Sequence, residues 1–157
     1  MRHINVRTIF RILMTACLLL ITGCTSSPPQ PSENEILLVI QLDLKEDIGL
    51  LILDQNLSGQ ESIGGISNAD RSLLKHDDVL YWTFDKEDYK DLPDTIDLTL
   101  GFRIITEYCE PNYENIYPEE LTIYIDSISF PASFGDTCHI TITGDHTHGY
   151  QAAVDQN

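Results

Sequence analysis

The 157-residue sequence predicts an all-β domain, an antiparallel β-sandwich of roughly seven to eight short strands. Two observations carry this. Beyond residue 35, apolar and polar residues alternate singly through most of the chain, the period of a strand buried on one face, and the 3.6-residue period of a helix stripe is nearly absent. The alternating runs are also short and are separated by clusters of turn-forming residues at roughly 8–12-residue spacing, which is how sandwiches read.

The strands follow in order. Leu38, Ile40, Leu42 and Leu44 share one face and Gln41 and Asp43 the other, a half-buried strand. The apolar run Ile48 to Leu53 gives a second strand, which passes through Asp54-Gln55-Asn56 into a Ser/Gly loop ending at Gly64-Gly65. Asp78 to Phe84 alternates again through Leu80, Trp82 and Phe84. Asp85, an N-cap type of residue, opens the single helical turn the sequence supports, and Pro93 must end it. Thr95 to Tyr108 is the longest alternation, with Leu98, Leu100, Phe102, Ile104 and Tyr108 on one side and Thr99, Arg103 and Glu107 on the other. Leu121-Ile123-Ile125, then Ile128 and Phe130, then Cys138-Ile140-Ile142 and finally Tyr150-Ala152-Val154 complete the set.

Ahead of this domain, Arg2, Arg7 and Arg11 precede an apolar run from Ile12 to Ile21, roughly ten residues and about half of what a membrane-spanning helix needs. The run ends in Leu20-Ile21-Thr22-Gly23-Cys24 and is followed by a polar Thr-Ser-Ser-Pro-Pro-Gln-Pro stretch. This segment resembles the signal peptide and lipobox of bacterial lipoproteins. The resemblance implies that residues 1–23 are removed, that Cys24 carries diacylglycerol on its sulfur, and that its new amino group is often acylated. Each buried acyl CH₂ contributes about 0.8 kcal/mol, so two or more chains hold stably where one holds marginally. The implied location is the extracytoplasmic side of the cell membrane. Residues 24–34, with Pro28, Pro29 and Pro31, read as a tether. At about 3.1 Å per residue of Pro-rich chain, roughly 30 Å separate the anchor from the domain, residues 35–157.

Removing residues 1–23 takes three of the nine Lys+Arg and none of the 25 Asp+Glu, leaving 134 residues with a net charge of −19. Such a chain does not bind nucleic acid or anionic lipid through charge, because both need basic residues against phosphate. The membrane is a partner only through the lipid anchor.

Two cysteines remain, Cys109 and Cys138, in a compartment where disulfides persist. Two readings stand: a bridge enclosing about 30 residues, or separate thiols, one buried and one exposed. Gly149-Tyr150 ahead of an alternating strand resembles the turn into a late strand of an immunoglobulin-like domain. The order Trp82, Cys109, Cys138 departs from the antibody pattern of a Trp between two bridging cysteines, so the likeness is Ig-like in shape only.

Candidate chemistry is sparse. Asp145, His146 and His148 form a metal-like cluster, since two histidines at i and i+2 on extended backbone face one way and suit Zn²⁺; His139 and Asp136 are near enough in sequence to add ligands. Asp85, Asp88, Asp91, Asp94 and Asp97 recur at every third residue and supply oxygens for Ca²⁺, without an EF-hand pattern. Against both stands a plain polar turn. Ser72-Leu73-Leu74-Lys75 fits S-x-x-K but lacks the companion motifs of penicillin-recognising enzymes, and no other catalytic pattern occurs. Tyr113 and Tyr117, set among Asn, Glu and Pro between two long strands, are the candidate ligand contacts, the alternative being that both rings cover the end of the sandwich. Two function classes follow: a non-enzymatic, lipid-anchored module that binds a protein, peptide or glycan or serves the envelope structurally, and a metal-dependent module, Ca²⁺ or Zn²⁺, structural or hydrolytic.

Overall fold

The computed structural model describes residues 28–109 and 117–155. Cys24 and Tyr113 lie outside them. The domain is the expected sandwich: eight strands form two four-stranded sheets. The strands are β1 (Glu35–Leu44), β2 (Leu50–Leu57), β3 (Gln60–Ile66), β4 (Val79–Asp85), β5 (Thr95–Ile105), β6 (Thr122–Ser133), β7 (Thr137–Asp145) and β8 (Gly149–Val154). The first sheet runs β4-β1-β7-β8 and the second β3-β2-β5-β6.

Pairing is antiparallel throughout except for β1 with β7, which run parallel with Leu38 opposite Cys138 and Leu42 opposite Ile142. A parallel pair needs a long crossover, and here β2 to β6 lie between the two strands in the chain. Alternation is met as anticipated. Ile36, Leu38, Ile40 and Leu42 of β1 and Leu98, Leu100, Phe102 and Ile104 of β5 are nearly or wholly buried in one core between the sheets.

Two sequence expectations change. The Ser/Gly loop after Asn56 is strand: β2 and β3 form a hairpin, with Leu57 opposite Gln60 across Ser58-Gly59. Ser58 and Gly59 both take positive φ, which suits a two-residue hairpin turn. Gly64 then sits within β3 because Trp82 of the other sheet lies over it; a Cβ there would fall 2.1 Å from the indole Cη2. The second change is that Ile123 to Phe130 belongs to one continuous β6, while Leu121 ends a 3₁₀ turn, Glu119–Leu121, just before that strand. Its alternation changes phase between Ile125 and Ile128 because Asp126 and Ser127 together face the single residue Gly101, a β-bulge.

The turn at Asp85 forms as read. Lys86–Asp88 is one 3₁₀ turn, and the Asp85 carboxylate accepts the Glu87 N–H at 2.9 Å. Gln55 is the polar residue facing the core, with its amide oxygen accepting the Ser62 hydroxyl at 3.0 Å. Among the described residues no buried side-chain polar atom lacks a partner.

Candidate functional site

The outer face of the second sheet carries the main candidate site. Facing away from the core, β2 presents Ile52 and Asp54, β3 presents Ile63 and Gly65, β5 presents Gly101 and Arg103, and β6 presents Tyr124. Register sets Ile63, Asp54 and Gly101 in one row across three strands, with the bulge of β6 beside Gly101. The next row holds Gly65, Ile52, Arg103 and Tyr124.

Asp54 and Arg103 are diagonal neighbours on the floor. The guanidinium donates through Nε to one Asp54 oxygen and through a terminal nitrogen to the other, each at 2.8 Å. Such a planar, two-point contact is the strongest form of ion pair and fixes both side chains. Arg103 thus donates one bond to each carboxylate oxygen and holds the pair in place on the sheet. Gly101 keeps the floor low: a Cβ would stand 3.3 Å from Ser127 Oγ and 3.5 Å from Asp54 Cβ. Ile63 and Tyr124 rise on either side and are 65% and 70% exposed. Between them lies a cavity of ≈ 700 Å³, which also reaches Asn56, Glu61 and Ser127. That volume falls within the ordinary range of small-ligand sites.

Toward the β5–β6 connection the same face turns apolar. Leu50, Ile52 and Ile105 form a small cluster covered by Cys109, Tyr117 and Leu121. Tyr117 is therefore partly a packing residue, and burial pushes its phenol above the usual range. Tyr117 also lines, with Ile63 and Arg103, a smaller cavity of ≈ 90 Å³ and so borders the groove.

The two cysteines do not pair. Cys138 packs against the core between the sheets, whereas Cys109 packs on the outer face of the second sheet. They lie on opposite sides of that sheet, which corrects the bridge and also the reading of one buried and one exposed thiol, since both are half-buried. Burial pushes the Cys138 thiol up to about 11 and raises Cys109 as well.

The histidine cluster forms a clasp at one end of the sandwich. Gly144 and Gly149, both with positive φ, flank a turn at residues 146–148, not the extended backbone that two histidines facing one way require. Their rings go to different carboxylates. His146 Nδ1 meets Glu46 Oε2 at 2.5 Å, and His148 Nδ1 meets Asp145 Oδ1 at 2.8 Å. Glu46 also accepts the Tyr150 hydroxyl at 2.5 Å and the His146 N–H at 2.6 Å, and these bonds, the hydroxyl's first, hold its pKa below the usual value. Asp145 is buried, accepts the Lys45 ammonium at 2.9 Å and the N–H groups of Thr147 and His148, and is held far below the usual carboxylate range. Among the described residues no three His, Cys, Asp or Glu side chains converge as a metal-ligand set, at this clasp or in the acidic run. Asp136 instead accepts the Ser133 N–H, Asp94 pairs with Lys86, and His139 is exposed.

Ser72 and Lys75 likewise diverge, the hydroxyl donating to Asp70 at 2.6 Å and the ammonium to Asp47 at 2.8 Å. The floor pair Asp54–Arg103 and the wall Ile63 escaped the sequence reading. Tyr124 left a usable signal, an aromatic ring on the polar register of Thr122, Tyr124 and Asp126.

No family model and no curated protein matches the chain. Solved structures similar to it include a disulfide-locked mutant of intermedilysin with human CD59, at 12% identity and TM-score 0.39, covering 77% of this chain and 24% of that one. Wild-type pneumolysin gives 12% identity and TM-score 0.36 over 79% and 23%. The membrane-binding domain of pneumolysin gives 12% identity and TM-score 0.34 over 79% of this chain and 96% of that one. The chain spans 24% of the intermedilysin chains it matches. TM-scores this low establish no shared fold and no shared activity.

Proposed function

We propose that this chain is a lipid-anchored, non-enzymatic binding module on the extracytoplasmic side of a bacterial cell membrane, and that its ligand lies in the groove over the second sheet. The observation that carries the binding role is the open pair Ile63 and Tyr124, 65% and 70% exposed, flanking a floor whose charges are closed on each other. Apolar walls with a few fixed polar groups are what a ligand site requires. The anchor rests on the run Leu20 to Cys24 and the Pro-rich tether after it. That tether holds the acidic domain several Debye lengths, each about 8 Å, from an anionic bilayer.

Two experiments test this. Cys24→Ser in cells fed labelled palmitate should abolish labelling and release the chain from the membrane fraction; unchanged labelling overturns the anchor. Ile63→Ala with Tyr124→Ala should abolish retention of envelope components while the unfolding midpoint stays within about 0.5 kcal/mol equivalent, as for exposed positions. Retention equal to that of the parent chain overturns the groove.

A further inference from the structure

We infer that the groove takes a neutral glycan, a chain of linked sugar rings laid across the four strands, an assignment that rests on the groove being the ligand site. Charge argues first. Arg103 has its Nε edge on Asp54, so its positive charge is already paired, and it is not among the groups that line the ≈ 700 Å³ cavity. The charged lining groups are Asp54 and Glu61, both acidic, and the chain as a whole carries −16, so an acidic ligand meets net repulsion. A cationic ligand finds Asp54 already paired with Arg103, which leaves Glu61 as the acidic lining group open to it.

Backbone geometry argues next. A peptide adds to a sheet at an edge, where N–H and C=O groups are unpaired. The groove instead lies across a face, over β2 and β5, which are hydrogen-bonded on both sides. Its recognition must come from side chains.

Those side chains fit a sugar. A pyranose offers an apolar face of C–H groups and a rim of hydroxyls. Tyr124 presents the first counterpart, an exposed ring whose negative face attracts C–H hydrogens. Ile63 offers a second apolar wall, and Asn56 and Ser127 offer donors and acceptors at the rim. The bulge at Asp126 and Ser127 brings Ser127 to the floor, the kind of re-aiming that bulges achieve. Size follows from strand spacing: three steps of about 4.8 Å put β3 and β6 about 14 Å apart, room for roughly two or three rings of about 5 Å each.

The test uses the full lipoprotein in detergent micelles, titrated with neutral hexose and N-acetylhexosamine oligomers of increasing length, their uronate counterparts, and a set of unstructured peptides. The expected result is binding to neutral oligomers that strengthens up to about three rings, then levels, and changes little with salt because no ion pair forms. Tyr124→Ala should weaken it at least tenfold, Tyr124→Phe should preserve it, and Tyr81→Ala, an exposed tyrosine on the other sheet, should leave it unchanged. Absence of neutral-oligomer binding, preference for uronates, or indifference to Tyr124→Ala overturns the glycan assignment. If peptides bind instead and Tyr124→Ala abolishes that binding, the groove stands and the glycan falls. If no probe binds and the groove variants also retain envelope components as the parent does, both fall.

Discussion

Tyr150→Phe isolates one bond of the end clasp and has a magnitude that follows from the structure. The ring stays in the core; only the hydroxyl that donates to Glu46 at 2.5 Å is lost. Glu46 keeps His146, so its carboxylate is not orphaned. A hydrogen bond to a charged group contributes about 1.5–3 kcal/mol net. Because the Glu46 side chain is 29% exposed, water replaces part of the bond, and a loss of about 1–2 kcal/mol is expected. An unfolding entropy near 2.1 cal/mol/K per residue over a domain of about 120 residues converts this to a fall in Tm of about 4–8 °C. The pH dependence gives the sharper check. Glu46 has a folded pKa below its ordinary 4.5, so its stabilisation is complete above that value and is lost as pH falls through the lower folded value. The variant has less of this to lose. The gap in Tm between parent and Tyr150→Phe should therefore be largest at neutral pH and shrink toward about pH 3. Thermal unfolding followed by circular dichroism at both pH values measures it. A gap that stays constant or widens on acidification would refute the assignment of the lowered pKa to the Tyr150 hydroxyl.

Three further outcomes are expected. Gly64→Ala places a Cβ 2.1 Å from Trp82 Cη2, so the indole must move, at a cost of about 1–3 kcal/mol for overpacking; because Trp82 is the chain's single tryptophan, its emission should shift with the loss of stability in urea. Alkylation of the unfolded chain without reductant should modify both Cys109 and Cys138, and in the folded chain Cys138 should react slowly at pH 8.5, its pKa being pushed up to about 11 by burial; a linked Cys109–Cys138 peptide in mass spectra refutes this. Chelator treatment followed by millimolar Zn²⁺ or Ca²⁺ should leave Tm unchanged, since His146 and His148 pair with different carboxylates; a midpoint that rises and saturates would show native-state binding instead.

Much of the sandwich was legible because alternation is a direct imprint of burial. Leu38 to Leu44, Leu98 to Ile104 and Ile140 to Ile142 each put their apolar set into the core. Strand β3 was not legible, because Ser62, Gly64 and Gly65 have the composition of a loop. What makes Gly64 a strand residue is Trp82, more than fifteen residues away and on the other sheet, a packing demand that local composition does not carry. The phase change between Ile125 and Ile128 was visible, yet without the partner strand it reads equally as a break. The ion pair Asp54–Arg103 depends on the β2–β5 register, which sets residues 49 apart on one diagonal. Register is fixed by pairing and not by either segment alone.

The outer face of the second sheet divides at Arg103, and the division favours function over packing. On one side Leu50, Ile52 and Ile105 need cover, and Tyr117, Leu121 and Cys109 supply it. Had burial been the sole demand on this face, the residues past that cover would turn polar, as Thr99 and Ser129 do by bonding to each other at 2.8 Å. Ile63 and Tyr124 do not. They keep large apolar surface open to water at the cost of about 25 cal/mol per Å², on strands whose other outward positions are small or charged. Gly101 between them adds no bulk to the floor, where the bulge would leave a Cβ 3.3 Å from Ser127 Oγ. An open apolar wall among small and charged outward positions is a departure from what folding alone rewards, and the ligand proposed for the groove would account for it.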